Sequence, residues 1–596
     1  MIRERISRLR RCMAQRGIDA YLIPTSDFHE SEYVGEYFKA REYMSGFTGS
    51  AGTMVVTPAE ACLWTDGRYF IQAAAQLAPG GVILQKMGEE GYPTLEEYLE
   101  RTLPEGGVLG FDGRVICAKT ALSLQKRLAA RKVSFATSED LVGEIWEDRP
   151  ALSCEPAFDL DIRYCGETAF SKLTRLRDKM AAAGAYFHIV TALDDIAWLL
   201  NIRGNDVACN PMLLSYLTVS AAKAVLYCAG KAIGAGLAER LAADGVELRP
   251  YEQIYRDAAG VPAGSSVMLD PAKVNYEIFR LLGTNVKKIE QENPSTFFKA
   301  IKNPVEIENL RRSHLKDGVA FTKFMFWLKT RVGKQPMTEL DAAEYLENCR
   351  RAQEGYIEPS FDMIAAYGPN AAMMHYSATK ESNAEIHPKG MLLVDSGGQY
   401  YEGTTDITRT MVLGPISDEV RRHFTAVVRG NLNLARAKFL YGCRGINLDY
   451  LARGPVWELD LDYKCGTGHG VGFLLGVHEA PNGFRWKIVP ERNDSCVLEE
   501  GMFTTDEPGI YIEGSHGIRI ENELICRKGV KNEYGQFMEF ENITCAPIDL
   551  DGIDPMQMSA PEKEYLNRYH AAVFEKLSPF LTGEETEWLR RYTRAI

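Results

Sequence analysis

A chain of 596 residues is too long for a single hydrophobic core, and its length predicts roughly three to five domains. At 45% hydrophobic and 25% charged it has an ordinary globular composition. Its net charge of −13, with both signs mixed along the chain, argues against the clustered basic face that nucleic acid requires. No apolar run approaches the ~18 residues that span a bilayer, so no membrane partner is expected.

In chain order, "MIRERISRLRRCMAQRG" reads as a charged helix without the apolar core of a signal peptide. Thirteen scattered cysteines, odd in number and without a CxxC pair, fit free thiols in a reducing cytoplasm. "RLRRCMAQRG" (8–17) returns as "RLRDKMAAAG" (175–184), each a helix closed by glycine and followed by an apolar strand, with Asp27 and Asp194 at the same offset. This predicts one α/β unit in two copies, 1–150 and 156–300, joined by "EDRPALSCEP" (147–156). A third region, 303–530, opens at "NPVEIENLRRSHL", where Asn303 caps a helix, Pro304 fits its first turn and Glu306 completes a capping box. Beyond it, 531–596 reads as helical, with two S/T-x-x-E starts and with Trp588, Leu589 and Tyr592 as packing residues.

The chemistry lies in the third region. "MLLVDSGGQYYEGTTDITRTMV" (391–412) reads as two strands around a turn near Tyr401-Glu402-Gly403, which would set Asp395 opposite Asp406. Facing residues have Cβ atoms about 5 Å apart, and two carboxylates that close repel unless a cation or proton lies between them. "TTDEPGIYIEGSHGIRIENEL" (504–524) reads as a second hairpin turning at Gly514–Gly517. It places Arg519, Glu521 and Glu523 on one face, with Glu507 at its far end and Glu523 as an exposed edge charge. "KCGTGHGVGFLLGVHE" (464–479) surrounds Cys465, His469 and His478 with glycine, which marks close approach of a ligand or another backbone. Four carboxylates and one imidazole suit manganese, with zinc second.

Other motifs fail. "HEAPN" is not HExxH, a strand pattern follows "GFTGSAG" where a phosphate loop needs a helix, and there is no GxSxG.

The motifs "DSGGQYYEGTTDITRT", "GTGHGVG", "DEPGIY" and "GIRIEN" resemble those of the pita-bread dinuclear metallopeptidases, in particular the aminopeptidase P family in its long three-domain form. The resemblance covers nearly the whole chain, "LWTDGRYF" and "VTALDDIAWLLNIRG" included. It implies an α/β chain: two duplicated creatinase-like N-terminal domains, then a pita-bread (α+β) catalytic domain with a short helical extension. It implies two divalent metal ions, one chelated by Asp395, one held by His469 and Glu507, and both bridged by Asp406 and Glu521. Water activated between them would attack the scissile carbonyl, with Glu507 as proton acceptor. His375 and His478 match substrate histidines that stabilise the tetrahedral intermediate. Arg519 would support Glu521, and Arg68 would reach the peptide. Where the family has "HGTGHG" this chain reads "CGTGHG", and Cys465 is expected to line the pocket without binding metal. His29, His188, His314, His387, His423, His516 and His570 lack such context and are expected to be structural or surface residues. The implied activity is release of an N-terminal residue from peptides with proline second, by a cytoplasmic homodimer with contacts in its N- and C-terminal regions. The rivals are an Xaa-Pro dipeptidase and a metal-free peptide-binding protein.

Overall fold

The computed structural model describes residues 1–489 and 492–596. The chain forms two compact units, Met1–Asp161 with Glu167–Thr296, and Ile162–Gly166 with Phe297–Ile596.

The first unit holds the repeat. Helices Ile2–Gln15 and Ala169–Ala183 bury Leu9 and Met13, and Leu173, Leu176 and Met180, respectively. Each leads through a left-handed glycine, Gly17 or Gly184, into an inner strand of a six-stranded sheet. The first sheet runs Ile83–Lys86, Ala61–Thr65, Thr53–Val56, Ala20–Pro24, Val108–Gly110, Ser134–Ala136. The second runs Val246–Pro250, Ala224–Cys228, Ser215–Ser220, Phe187–Val190, Ser266–Leu269, Lys287–Glu290. Parallel and antiparallel pairs fall at the same places in both, so the duplication read from ten residues extends to the whole topology. The copies meet through buried polar contacts: His29 Nδ1 lies 2.8 Å from the Thr191 carbonyl and its Nε2 2.6 Å from Tyr251 Oη.

In the second unit Asn303 Oδ1 accepts from the Val305 and Glu306 amides, and Glu306 accepts from the Asn303 amide, starting a helix that runs Pro304–Arg331. Such a cap stabilises by about 1 kcal/mol. With Glu339–Arg351 it buries Phe321, Phe324, Leu328 and Leu346 against Leu392, Val394 and Met411 of a three-stranded sheet. That sheet runs Ile364–Tyr367, Met391–Ser396, Ile407–Val412. Helices Asp418–Ala435 and Gly445–Trp457 bury Leu434, Leu448 and Ala452 against Phe484, Leu524 and Met538 of a six-stranded sheet. The two halves join where the Glu521 amide donates to the Thr408 carbonyl at 3.1 Å. The C-terminal helices Ala560–Leu577 and Gly583–Tyr592 begin with capping boxes at Ser559 and Thr582; Leu589 and Tyr592 are buried and Trp588 is half-buried.

Three expectations need correction. Asp395 pairs with Thr408, not Asp406, because the connecting hairpin pairs Tyr400 with Gly403 across a two-residue turn. The second hairpin turns one residue earlier, at Glu513–Ser515, with Gly514 at φ +73. Glu523 is not an exposed edge charge: it lies in the inner strand Asn522–Asn532, fully buried, paired with the His314 imidazole. No disulfide joins any of the thirteen cysteines, and no helix among the described residues is long and apolar enough to cross a membrane.

Candidate metal centre

The glycines of "GTGHGVG" are explained by backbone. A Cβ on Gly468 would lie 1.9 Å from the Thr505 carbonyl oxygen, and one on Gly470 2.3 Å from that of Glu479. Two neighbouring strands therefore close on Gly468–Gly470, the strand that carries His469, and fix its side chain.

His469 Nδ1 lies 2.9 Å from the Gly470 carbonyl, which only accepts, so Nδ1 carries the proton. The lone pair of Nε2 is then directed at Glu507 Oε1, 3.4 Å away, and Asp406 Oδ2, 3.7 Å away. Two carboxylates facing a nitrogen lone pair repel it, and a cation between them reverses the sign. Asp406, His469 and Glu521 each offer a donor atom within 4.8 Å of the others.

Thr408, which occupies the place expected of Asp406, organises the rest. Its hydroxyl donates to Glu521 Oε2 at 2.9 Å and accepts from Arg519 Nε at 3.1 Å. Arg519 donates to Asp395 Oδ2 at 2.6 Å, and to the Met374 carbonyl beside His375 at 3.3 Å. The arginine thus ties Asp395 to the segment bearing His375, rather than pairing with Glu521. The His478 ring meets that of His469 edge-on, with centroids 4.2 Å apart. Arg68 belongs to the first unit, where both its Nε and its Nη2 donate to Asp66 at 2.8 Å.

The electrostatics are those of too many buried acids. Burial first, then neighbouring carboxylates, holds Asp406 and Glu521 well above the usual carboxyl range. Glu507 is pushed up to about 7, chiefly by burial, with Arg519 opposing and Asp395 adding to the shift. Asp395 Oδ1 and Asp406 Oδ1 are buried without a hydrogen-bond partner. Leaving such atoms unsatisfied costs about 1–3 kcal/mol each, more if charged, and divalent cations would satisfy both. This donor set fits hard or borderline ions.

Cys465 is absent from the converging donors. It packs against the buried hydrophobic cluster that contains Val456, Tyr463 and Ile510, and burial, followed by the Glu507 charge, pushes its thiol up to about 11. Sequence reading missed three supports of the site: Thr408, the buried Asp449–Arg453 pair under the glycine loop, and the Glu523–His314 pair, whose glutamate accepts from the Asp406 amide. Glu523 had one legible signal, the apolar run "LIC" that follows it.

Residues 5–145 match the creatinase/prolidase N-terminal domain, and 148–306 match it a second time. Residues 308–528 match metallopeptidase family M24, and 536–596 the C-terminal region of peptidase M24. Aminopeptidase P2 of Arabidopsis thaliana is 37% identical, covering 100% of this chain and 89% of its own. A probable Xaa-Pro aminopeptidase P of Paracoccidioides brasiliensis is also 37% identical, over 100% and 99%. The crystal structure of an X-prolyl aminopeptidase from Caenorhabditis elegans, described as a cytosolic enzyme with a di-nuclear active site, superposes with a TM-score of 0.95 at 34% identity, covering all of both chains. The chain belongs to metallopeptidase family M24, within its Xaa-Pro aminopeptidase P group.

Proposed function

We propose that this protein is a dinuclear-metal Xaa-Pro aminopeptidase, which hydrolyses the bond after the N-terminal residue of peptides with proline second. The observation that carries the reading is the imidazole lone pair of His469 aimed into a set of buried carboxylates. Asp395 would hold one ion, His469 and Glu507 the other, and Asp406 and Glu521 both. The ions would supply Lewis acidity and a water that is nucleophilic near neutral pH. Four carboxylates to one imidazole favour manganese, with zinc second.

Glu507 is the proton acceptor: Thr505 donates to its Oε1 at 3.3 Å, and its amide is fixed by the Thr467 carbonyl at 2.7 Å. His478 and His375 donate hydrogen bonds to the peptide and to the developing oxyanion. Arg519 orients Asp395 through its hydrogen bond to Oδ2. Proline in second position presents a tertiary amide with φ fixed and no N–H, so the site recognises shape and carbonyl oxygens. A cytoplasmic homodimer completes the reading; light scattering on the purified protein tests the dimer.

After manganese loading, rates on Xaa-Pro dipeptides and Xaa-Pro-Xaa tripeptides decide the activity. Tripeptides should be cleaved faster, and alanine in second position should abolish most turnover. Turnover confined to dipeptides would make the protein a dipeptidase, and a purified protein that holds no metal and cleaves neither substrate would make it a peptide-binding protein.

A further inference from the structure

The loop between the two site histidines holds a conformation its own sequence disfavours. Leu474, fully buried, has φ +47, in the left-handed region where a residue with a side chain is strained. Such strain persists only where the surroundings over-determine it. Here the surroundings are the hairpin Gly398–Tyr400 and Gly403–Thr404, which also joins the Asp395 strand to Asp406. Gln399 Nε2 donates to the Leu475 carbonyl at 2.7 Å, Thr404 Oγ1 donates to Gln399 Oε1 at 2.8 Å, and the Leu475 amide donates to Thr404 Oγ1 at 3.3 Å. Gln399, Thr404 and Leu475 are all buried, so no water substitutes for these bonds. Gly403 lets Phe473 lie over the hairpin, since a Cβ there would come within 3.3 Å of the phenyl ring. Gly472 closes the loop by donating to the Gly476 carbonyl at 3.1 Å. Two residues later the chain delivers His478 edge-on to His469.

We propose that Gln399 and Thr404 are positioning residues for His478: their side chains clamp Leu475 and so set where the imidazole meets the peptide. The inference rests on the role given to His478 above. It makes one hairpin responsible for both halves of the chemistry, because the turn that staggers Asp395 and Asp406 also anchors the substrate histidine. Gln399 touches neither metal ligand nor peptide through these bonds; it acts through the loop.

The test is a double-mutant cycle between Gln399→Leu and His478→Ala, with turnover of an Xaa-Pro-Xaa tripeptide and metal content both measured. Displacement of a positioned group by about 1 Å costs on the order of a hundredfold. Gln399→Leu should therefore lower kcat by roughly ten- to a hundredfold with two metals per chain retained. In the His478→Ala background the same change should cost less than about twofold, since coupled residues are non-additive. Thr404→Val should behave like Gln399→Leu, while Thr404→Ser, which keeps the hydroxyl, should recover most of that loss. If Gln399→Leu does not fold, the threonine pair carries the same cycle. Equal losses in both backgrounds, or loss of metal in Gln399→Leu, would overturn the inference. An impaired His478→Ala beside a fully active Gln399→Leu would overturn the positioning alone. A fully active His478→Ala would overturn the role of that histidine and the clamp together.

Discussion

Arg453 offers the most quantitative test of how the glycine loop is held. Its side chain and that of Asp449 are both fully buried, one turn apart on Gly445–Trp457. The guanidinium donates to Asp449 at 2.8 Å, Asp462 at 2.6 Å, the Tyr463 carbonyl at 2.9 Å and the Cys465 carbonyl at 3.1 Å, and lies 3.8 Å above the Tyr463 ring. Asp449 in turn accepts from Thr467 Oγ1 at 2.6 Å, and the Thr467 carbonyl holds the Glu507 amide. Replacing Arg453 by Met keeps the volume but leaves a buried carboxylate uncompensated. Breaking a buried pair in this way costs about 3–5 kcal/mol. At about 2–4 °C per kcal/mol for a large domain, the midpoint should fall by roughly 6–20 °C. The double variant Arg453→Met with Asp449→Asn removes the stranded charge but keeps an acceptor for Thr467, and should recover more than half of the loss. Thermal denaturation followed by circular dichroism measures both. A single variant within about 1 kcal/mol of the parent, or a double variant no more stable than the single, would refute the argument that a stranded charge dominates.

Asp406→Ala and Glu521→Ala should each abolish turnover and lower metal stoichiometry, as read by elemental analysis; normal activity with two ions bound would exclude bridging carboxylates. Cys465→Ser should retain both ions and most activity, because the thiol lies outside the converging donors, and with its pKa pushed up to about 11 the parent thiol should react slowly with alkylating reagents at pH 8. His570 is buried and neutral, accepts from the Ile548 amide, and is held down at about 3, chiefly by burial. Its folded pKa is depressed below the unfolded value, so the unfolded chain binds the extra proton and stability falls as pH drops from about 6.5 toward 3. His570→Asn, which keeps an acceptor, should flatten that part of the acid limb in denaturation series from pH 7.5 to 4.5, and an unchanged slope would show that the imidazole titrates elsewhere. For the activity itself, His375→Ala should cut the rate by roughly ten- to a thousandfold at unchanged metal content.

Much of this protein is written in local sequence because much of it depends on local physics. Helix caps at Asn303, Ser559 and Thr582 form from residues three apart, so their spacing alone specifies them. The repeated helix–glycine–strand signature carried the duplication, since each copy meets the same backbone demands at Gly17 and Gly184. The residue types of the candidate centre, four carboxylates and an imidazole in glycine-rich strands, were also legible one segment at a time.

What sequence could not decide was how those segments meet. The turn after Tyr400 fixed a register that puts Thr408 opposite Asp395, and no periodicity distinguishes that from the alternative two residues away, which keeps the same faces. Glu523 reads as a surface charge until its strand proves to be an inner one with His314 across from it. The direction of the His469 lone pair depends on which neighbouring carbonyl takes the Nδ1 proton. Likewise, Arg453 and Gln399 carry no motif of their own; their importance comes from what long-range folding brings against them. Side-chain chemistry is encoded residue by residue, but burial, register and hydrogen-bond direction belong to pairs of residues far apart in the chain, and only the packed structure fixes them.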